Sequence, residues 1–269
     1  MTVGEALSGC GIDRAEARML LAHVSALSHA SMAAHPEIEL GETAARSFAD
    51  LTARRRTGEP VAYLLGEREF YSLALNVTPD VLIPRPETEL LVDFAIDHLP
   101  RDGALADLGT GSGAIALAVK YRRPDVIVTA VDRSGAALAV ARGNAARHGL
   151  AIELLQGDWF EPLAARRFDV VVSNPPYVAE VDRHFAQGDL RFEPHGALVG
   201  GVDGLVEIRR IVSATPGHLN RGGWFALEHG QGQDAEVRNL LASAGLGSVS
   251  SRPDLAGIAR ISVGKYNLE

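Results

Sequence analysis

From residue 104 onward, short apolar runs alternate with helix-length segments, and this alternation restricts the fold more than any other feature of the chain. Leu105–Leu108 and Val126–Val131 read as buried strands, each followed by a helix, at Ser112–Tyr121 and Ser134–His148. Further strands are expected at Ile152–Gln156 and Phe168–Ser173, then a helix near Leu205–Leu219, a strand at Gly223–Glu228 and a helix at Asp234–Ala244. Two last strands are expected near 246–251 and 258–263. Repetition of this kind places mostly parallel strands in one sheet with helices on its faces. The fold class is therefore α/β, a Rossmann-like domain over 87–269 that ends in an antiparallel hairpin.

The first third of the chain has a different pattern. Thr2…Glu5 and Asp13…Glu16 carry capping-box spacing, and Ala17, Leu20, Leu21, Val24 and Leu27 recur on one helical face. A further helix is predicted over Glu42–Arg56, stopped by Thr57-Gly58-Glu59-Pro60. Residues 1–66 thus form a small helical domain. Between the two domains, Phe70-Tyr71, Leu73, Leu75 and Val77 alternate with other residues. Thr78-Pro79-Asp80 then offers turn chemistry before Val81-Leu82-Ile83, which reads as a β-hairpin. With Pro84-Arg85-Pro86 it makes 67–86 a linker, followed by a helix from about Glu87 to His98. Arg85 and Glu87 receive no role from sequence. The final pair, Leu268-Glu269, reads as a candidate non-native tail.

Bulk properties narrow the partners. Formal net charge is −8 at pH 7 and the sequence pI is about 5.6, which disfavours duplex DNA bound through many phosphates. Arg54-Arg55-Arg56, with Arg46 and Arg68, is the best basic stripe; a solvated helix end suits it, and an acidic or RNA-associated partner is the alternative. No apolar run approaches the roughly 18 residues of a spanning helix, and no signal peptide is evident. Cys10 is the single cysteine, so no disulfide is expected within the chain and a cytoplasmic location fits. His23, His29 and His35 do not share a helix face and do not read as metal ligands.

Two segments carry chemistry. Asp107-Leu108-Gly109-Thr110-Gly111-Ser112-Gly113 lies where a strand becomes a helix, so glycines permit a tight turn while the helix start offers free N–H groups. Alone, such a loop also serves a dinucleotide or merely a turn. Asp132 ends the next strand, where a carboxylate can accept both hydroxyls of a ribose. Asp158-Trp159 follows the third strand, placed to meet an adenine amine and cover the base, although Trp159 also suits core packing. In a dinucleotide fingerprint the third glycine comes one residue later than Gly113. The spacing thus favours S-adenosylmethionine, which has no phosphate and carries a cationic sulfonium.

Asn174-Pro175-Pro176-Tyr177 follows the strand Phe168–Ser173, at the carboxyl edge where ligands sit in open α/β sheets. An amide nitrogen is a poor nucleophile because its lone pair is delocalised into the carbonyl. Methylating it calls for fixed acceptors that hold the –NH2 as it pyramidalises. The Asn174 side-chain oxygen and the Pro175 carbonyl can be those acceptors. The prolines stiffen the backbone, and Tyr177 can stack on the planar group and face the sulfonium. No strong base is needed before attack, since the nitrogen becomes acidic as it gains the methyl.

Asp107–Gly113, Asp132, Asp158-Trp159-Phe160 and Ser173–Tyr177 together resemble the HemK-type methyltransferases. Gly66–Phe70, Leu82–Glu89, Gly188-Asp189, Arg191-Phe192-Glu193-Pro194 and Leu227-Glu228-His229-Gly230 add to the resemblance, which covers the chain from about residue 58. It implies that Gly109, Thr110, Gly111, Ser112, Gly113, Asp132, Trp159 and Asn174 touch the methyl donor. It implies that Asn174, Pro175, Pro176 and Tyr177 hold a substrate glutamine, with Asn174, Pro175 and Tyr177 catalytic. The expected products are S-adenosylhomocysteine and N5-methylglutamine, in the Gly-Gly-Gln segment of class I peptide chain release factors. No metal, membrane or direct nucleic-acid contact is expected, and the helical domain is expected to help dock the protein substrate. Another protein's glutamine, or a nucleic-acid amine, are the alternative acceptors; a nicotinamide dehydrogenase is disfavoured by the glycine spacing. Asp254–Arg260 departs from the family in its Ile258-Ala259 pair, a change expected to affect only the last hairpin.

Overall fold

The computed structural model describes residues 1–181 and 188–267, so Leu268-Glu269 lies outside the described residues. Two compact units are present among the described residues: Met1–Glu67 with 188–192, and 68–181 with 193–267.

The first unit is built from α1 (Val3–Gly9), α2 (Arg14–Ser25), α3 (His29–Ala34), α4 (Glu42–Arg56) and α5 (Val61–Leu65). Thr2 makes the full reciprocal capping box with Glu5. The second box is only half made. Asp13 accepts from the N–H groups of Ala15 and Glu16, but the Glu16 carboxylate turns away to pair bidentately with Arg55 at 2.8 Å. Ala17, Leu20 and Leu21 are buried with Phe48, Leu51 and Leu64, while Val24 and Leu27 lie at the margin of this core. The arginine triplet is engaged within its own unit. Arg54 pairs with Glu59, Arg55 also reaches Asp189 at 2.9 Å, and Arg56 donates to the Cys10 carbonyl. Cys10 is buried.

The linker hairpin differs from expectation. Its strands are β1 (Glu67–Phe70) and β2 (Leu73–Asn76), and its turn is Tyr71-Ser72, both at positive φ (50° and 66°). Two left-handed residues match the twist of a tight hairpin, so the chain reverses earlier than the Thr78-Pro79-Asp80 signal suggests. Those three residues do form a turn, closed by Val81 N–H to Thr78 O at 3.1 Å, but Val81–Ile83 is not a strand.

The second unit continues with α6 (Glu89–His98), β3 (Ala104–Leu108), α7 (Ala114–Arg122), β4 (Ile127–Asp132), α8 (Gly135–His148), β5 (Glu153–Gln156) and β6 (Phe168–Ser173). It ends with α9 (His195–Leu198), α10 (Val206–Ala214), β7 (Leu219–Glu228), α11 (Asp234–Ser243), β8 (Leu246–Pro253) and β9 (Ala259–Tyr266). The seven-stranded sheet has the order β5-β4-β3-β6-β7-β9-β8, parallel from β5 to β7, with β9 antiparallel to both of its neighbours. Side chains alternate across it as strand geometry requires. Leu105, Val170 and Val172 pack beneath α6 and α7, whereas Ala106, Leu108 and Val171 pack against α10 and α11. With both faces covered, β3 is buried apart from its first residue, Ala104, and β6 apart from its second, Asp169, the pattern of a sheet sealed on two sides.

Candidate active site

The site forms where the sheet's connections diverge. β3 leads away to β4 on one side, β6 to β7 on the other, and the two strands are paired so that Leu108 stands beside Ser173. The loops that follow them leave the same carboxyl edge side by side, at the topological switch point where open α/β sheets bind ligands.

In the first loop Gly109, Gly111 and Gly113 all have positive φ (74°, 56° and 83°), which side chains disfavour. The left-handed Gly113 delays α7 to Ala114, two residues after the predicted start. A Cβ on Gly109 would stand 3.1 Å from the Trp159 ring, whereas one on Gly111 would meet nothing within 4 Å. Asp132 holds the loop from the neighbouring strand: its Oδ2 accepts from Gly111 N–H and its Oδ1 from Ser134 N–H, both at 2.9 Å. Each oxygen keeps a further lone pair. Beneath the loop, fully buried Asp107 accepts from the Thr110 hydroxyl at 2.6 Å and from Ala116 N–H at 3.2 Å through Oδ2, while its Oδ1 has no partner. Burial pushes the Asp107 carboxyl up to about 7, against those two hydrogen bonds and with help from the nearby Asp132 charge.

The second loop is held from several directions. Asn174 donates through Nδ2 to the Thr88 hydroxyl at 3.1 Å, and Thr88 donates to Glu228 Oε2 at 2.6 Å. The Tyr177 hydroxyl donates to the other oxygen of Glu228 at 3.1 Å. Gln233 bridges the Tyr177 carbonyl (3.0 Å) and the Gly230 N–H (2.8 Å). Glycines let the backbone close in. A Cβ on Gly200 would lie 2.5 Å from the Pro176 carbonyl oxygen, and one on Gly204 would lie 2.3 Å from that of Tyr177. No described residue donates a hydrogen bond to the Pro175 carbonyl or to Asn174 Oδ1. Burial, then the charge of Glu228 and the hydrogen bond to it, raise the Tyr177 phenol well above its ordinary range. Burial likewise raises the Glu228 carboxyl, opposed by the hydrogen bonds from Thr88 and Tyr177.

One pocket joins the two loops. Gly109, Thr110, Gly111 and Ser112 form one wall, Asp132 and Trp159 another, and Asn174 and Pro176 a third. Three of the expected residues stand outside it. Gly113 is packed against Leu117 and Ala141, Pro175 is buried, and Tyr177 is directed to Glu228. Trp159 sits at φ 49° and spends its indole N–H on Glu207 at 2.7 Å. Asp158, expected near a base amine, also lines the pocket and is ion-paired with Arg210.

Residues 86–196 match the family described as Methyltransferase small domain, and residues 4–66 match the PrmC N-terminal domain. A release factor glutamine methyltransferase of Bordetella pertussis is 52% identical over 261 residues, covering 96% of this chain and 97% of that one. The Neisseria gonorrhoeae protein of the same name is 46% identical over 268 residues, covering 99% and 98%. The chain belongs to the release factor glutamine methyltransferase family. Among solved structures, a methyltransferase from Pyrococcus furiosus shares the fold, with a TM-score of 0.59 at 18% identity over 82% of this chain and 100% of that one.

Sequence reasoning on this methyltransferase overlooked Thr88, Glu228, Gln233, Gly200 and Gly204. Thr88 and Glu228 lie in the Leu82–Glu89 and Leu227–Gly230 segments that carry the family resemblance, but nothing local reveals that they meet 140 positions apart. Arg85 is also placed: it pairs with buried Glu193, which accepts from Ile83 N–H at 3.0 Å. Among the described residues no helix is long and apolar enough to cross a membrane, and no group of three or more His, Cys, Asp or Glu side chains could hold a metal.

Proposed function

We propose that this chain transfers a methyl group from S-adenosylmethionine to the side-chain N5 of the glutamine in the Gly-Gly-Gln segment of class I release factors. The observation that carries the reading is that a glycine loop, a ribose-type carboxylate and two residues of the amide clamp, Asn174 and Pro176, line one pocket. The residues suit the donor. Asp132 retains a lone pair on each oxygen for the two ribose hydroxyls, and Gly111 leaves open space for backbone approach. When ionised, buried Asp107, whose Oδ1 has no partner, adds negative potential beneath a site that would receive a cation. When bound, the donor supplies an electrophilic methyl on a sulfonium.

The chain's own residues activate the acceptor by position and charge. Asn174 Oδ1 and the Pro175 carbonyl each accept one N–H of the glutamine amide. As the nitrogen bonds to the methyl, its lone pair leaves amide resonance and positive charge develops on the N–H groups, so both acceptors bind more tightly in the transition state than before it. Loss of one N–H proton to solvent, with S-adenosylhomocysteine as the leaving product, then restores a planar secondary amide. Holding donor and nitrogen in line is worth up to about 7–11 kcal/mol in favourable cases. Pinning the Tyr177 hydroxyl to Glu228 fixes the ring that stacks on the amide plane. The helical unit is assigned to docking the protein substrate.

The test is incubation with labelled methyl donor and purified release factor, or its Gly-Gly-Gln to Gly-Gly-Ala variant. Label is expected on the first protein alone, and equal labelling of both would exclude the glutamine.

A further inference from the structure

We infer that Glu228 and Thr88 are positioning residues that dictate which way the Asn174 amide faces, through a one-way relay of hydrogen bonds. The inference rests on the reading of Asn174 as an acceptor for the substrate –NH2. An asparagine amide is nearly symmetric in shape, and rotating it by half a turn exchanges an acceptor for a donor. Facing the wrong way, Asn174 would present N–H groups to the N–H groups it has to hold. Something must therefore choose between the two orientations.

The choice originates at Glu228, which is 2% exposed at the end of β7. In the ionised form, which the two hydroxyl hydrogen bonds favour against burial, its oxygens only accept, and they are shared out: Oε2 to the Thr88 hydroxyl and Oε1 to the Tyr177 hydroxyl. Thr88 is itself 3% exposed and has a single proton, which the 2.6 Å contact commits to Glu228. The Thr88 oxygen can then offer only a lone pair to Asn174. The atom of Asn174 that faces it at 3.1 Å must be Nδ2, and Oδ1 is left on the opposite side of the amide. The direction thus follows from donor counting and not from the shape of the amide. The same carboxylate fixes Tyr177, so one buried charge sets two members of the clamp.

The experiment compares Thr88→Val, Thr88→Ser and Glu228→Gln, with Thr88→Val also made in an Asn174→Asp background. Aspartate has two equivalent oxygens, so rotation no longer matters there. Thr88→Val is expected to lower kcat on the release factor by about 10- to 100-fold, the size of effect of losing an oriented group at a reacting centre. Affinity for S-adenosylmethionine should stay within about 3-fold, and Thr88→Ser should restore most of the rate because the hydroxyl is what the relay uses. Glu228→Gln, whose amide can present either a donor or an acceptor to Thr88, should lose rate in the same direction while melting within a few degrees of the parent. In the Asn174→Asp background Thr88→Val should cost no more than about 3-fold, a coupling that a purely structural role would not produce. An equal loss in both backgrounds, or no rescue by serine, would overturn the inference.

A second readout needs no substrate. Hydrogen exchange of the Asn174 side-chain –NH2, followed by NMR, should be protected in the parent and lose protection in Thr88→Val and Glu228→Gln. If Thr88→Val leaves it unchanged, the relay is refuted. If the parent protein is protected yet leaves release factor unlabelled, the proposed reaction fails while the relay stands.

Discussion

The two halves of the pocket are built by opposite means. The donor loop is nearly self-contained: three glycines within five residues set its path, and Asp132 holds it from the adjacent strand, 21 positions away from Gly111. The amide clamp is contiguous in sequence, yet almost nothing adjacent holds it. Asn174 is set by a residue 86 positions away, and Tyr177 by residues 51 and 56 positions away. A binding loop for a common cofactor works with local chemistry and backbone shape. A clamp that must distinguish acceptor from donor on a small amide needs its polarity set by buried groups, and those come from other parts of the fold.

If the two halves divide labour in this way, substitutions should separate binding from turnover. The largest effect is expected at the clamp. Asn174→Ala removes an acceptor that matters most in the transition state, so turnover should fall by about two or more orders of magnitude. Donor affinity by calorimetry should change little, and a near-normal rate would show that the clamp is misassigned. Asp132→Ala should act in the other half, weakening donor binding by about 10- to 100-fold through two lost hydrogen bonds to hydroxyls. Saturating donor should recover much of the rate, and an unchanged dissociation constant would remove Asp132 from the ribose role.

The smallest effect per measurement is expected from Asp107, where the comparison becomes a matter of pH. Its folded value of about 7 lies above the ordinary 3.8, so the folded state binds this proton more tightly than the unfolded chain does. The resulting stabilisation is complete below about pH 4 and is lost as pH rises through about 7, at a slope of at most about 1.4 kcal/mol per pH unit. Asp107→Asn should flatten that part of the profile, shifting Tm by a few degrees per pH unit relative to the parent. Parallel profiles would mean that Asp107 ionises without cost inside the fold.

Much of the architecture was legible from pattern alone. The strand Phe168–Ser173 and the helix Glu42–Arg56 appear with the predicted limits, because an apolar β-branched run and a clean helical stop leave few alternatives. Errors came where local signals competed. The hairpin turns at Tyr71-Ser72, two non-glycine residues held at positive φ, because the pairing of β1 with β2 outweighs the Pro79-Asp80 signal. The helix after the glycine loop begins late because a left-handed Gly113 cannot join it. Asp158 and Trp159 do line the pocket, but the contacts that hold them there, with Arg210 and Glu207, are not visible in the local sequence.

Sequence alone therefore determined the reaction class, for a physical reason. A glycine loop, a carboxylate at the end of the next strand and an Asn-Pro-Pro-Tyr segment stand in that order along alternating strands and helices, a combination that suits methyl transfer to a planar –NH2. Only the tertiary structure decided the direction in which Asn174 faces. That choice depends on where one buried proton of Thr88 is committed, and it is committed to Glu228, 140 positions away, by the closing of the sheet around it.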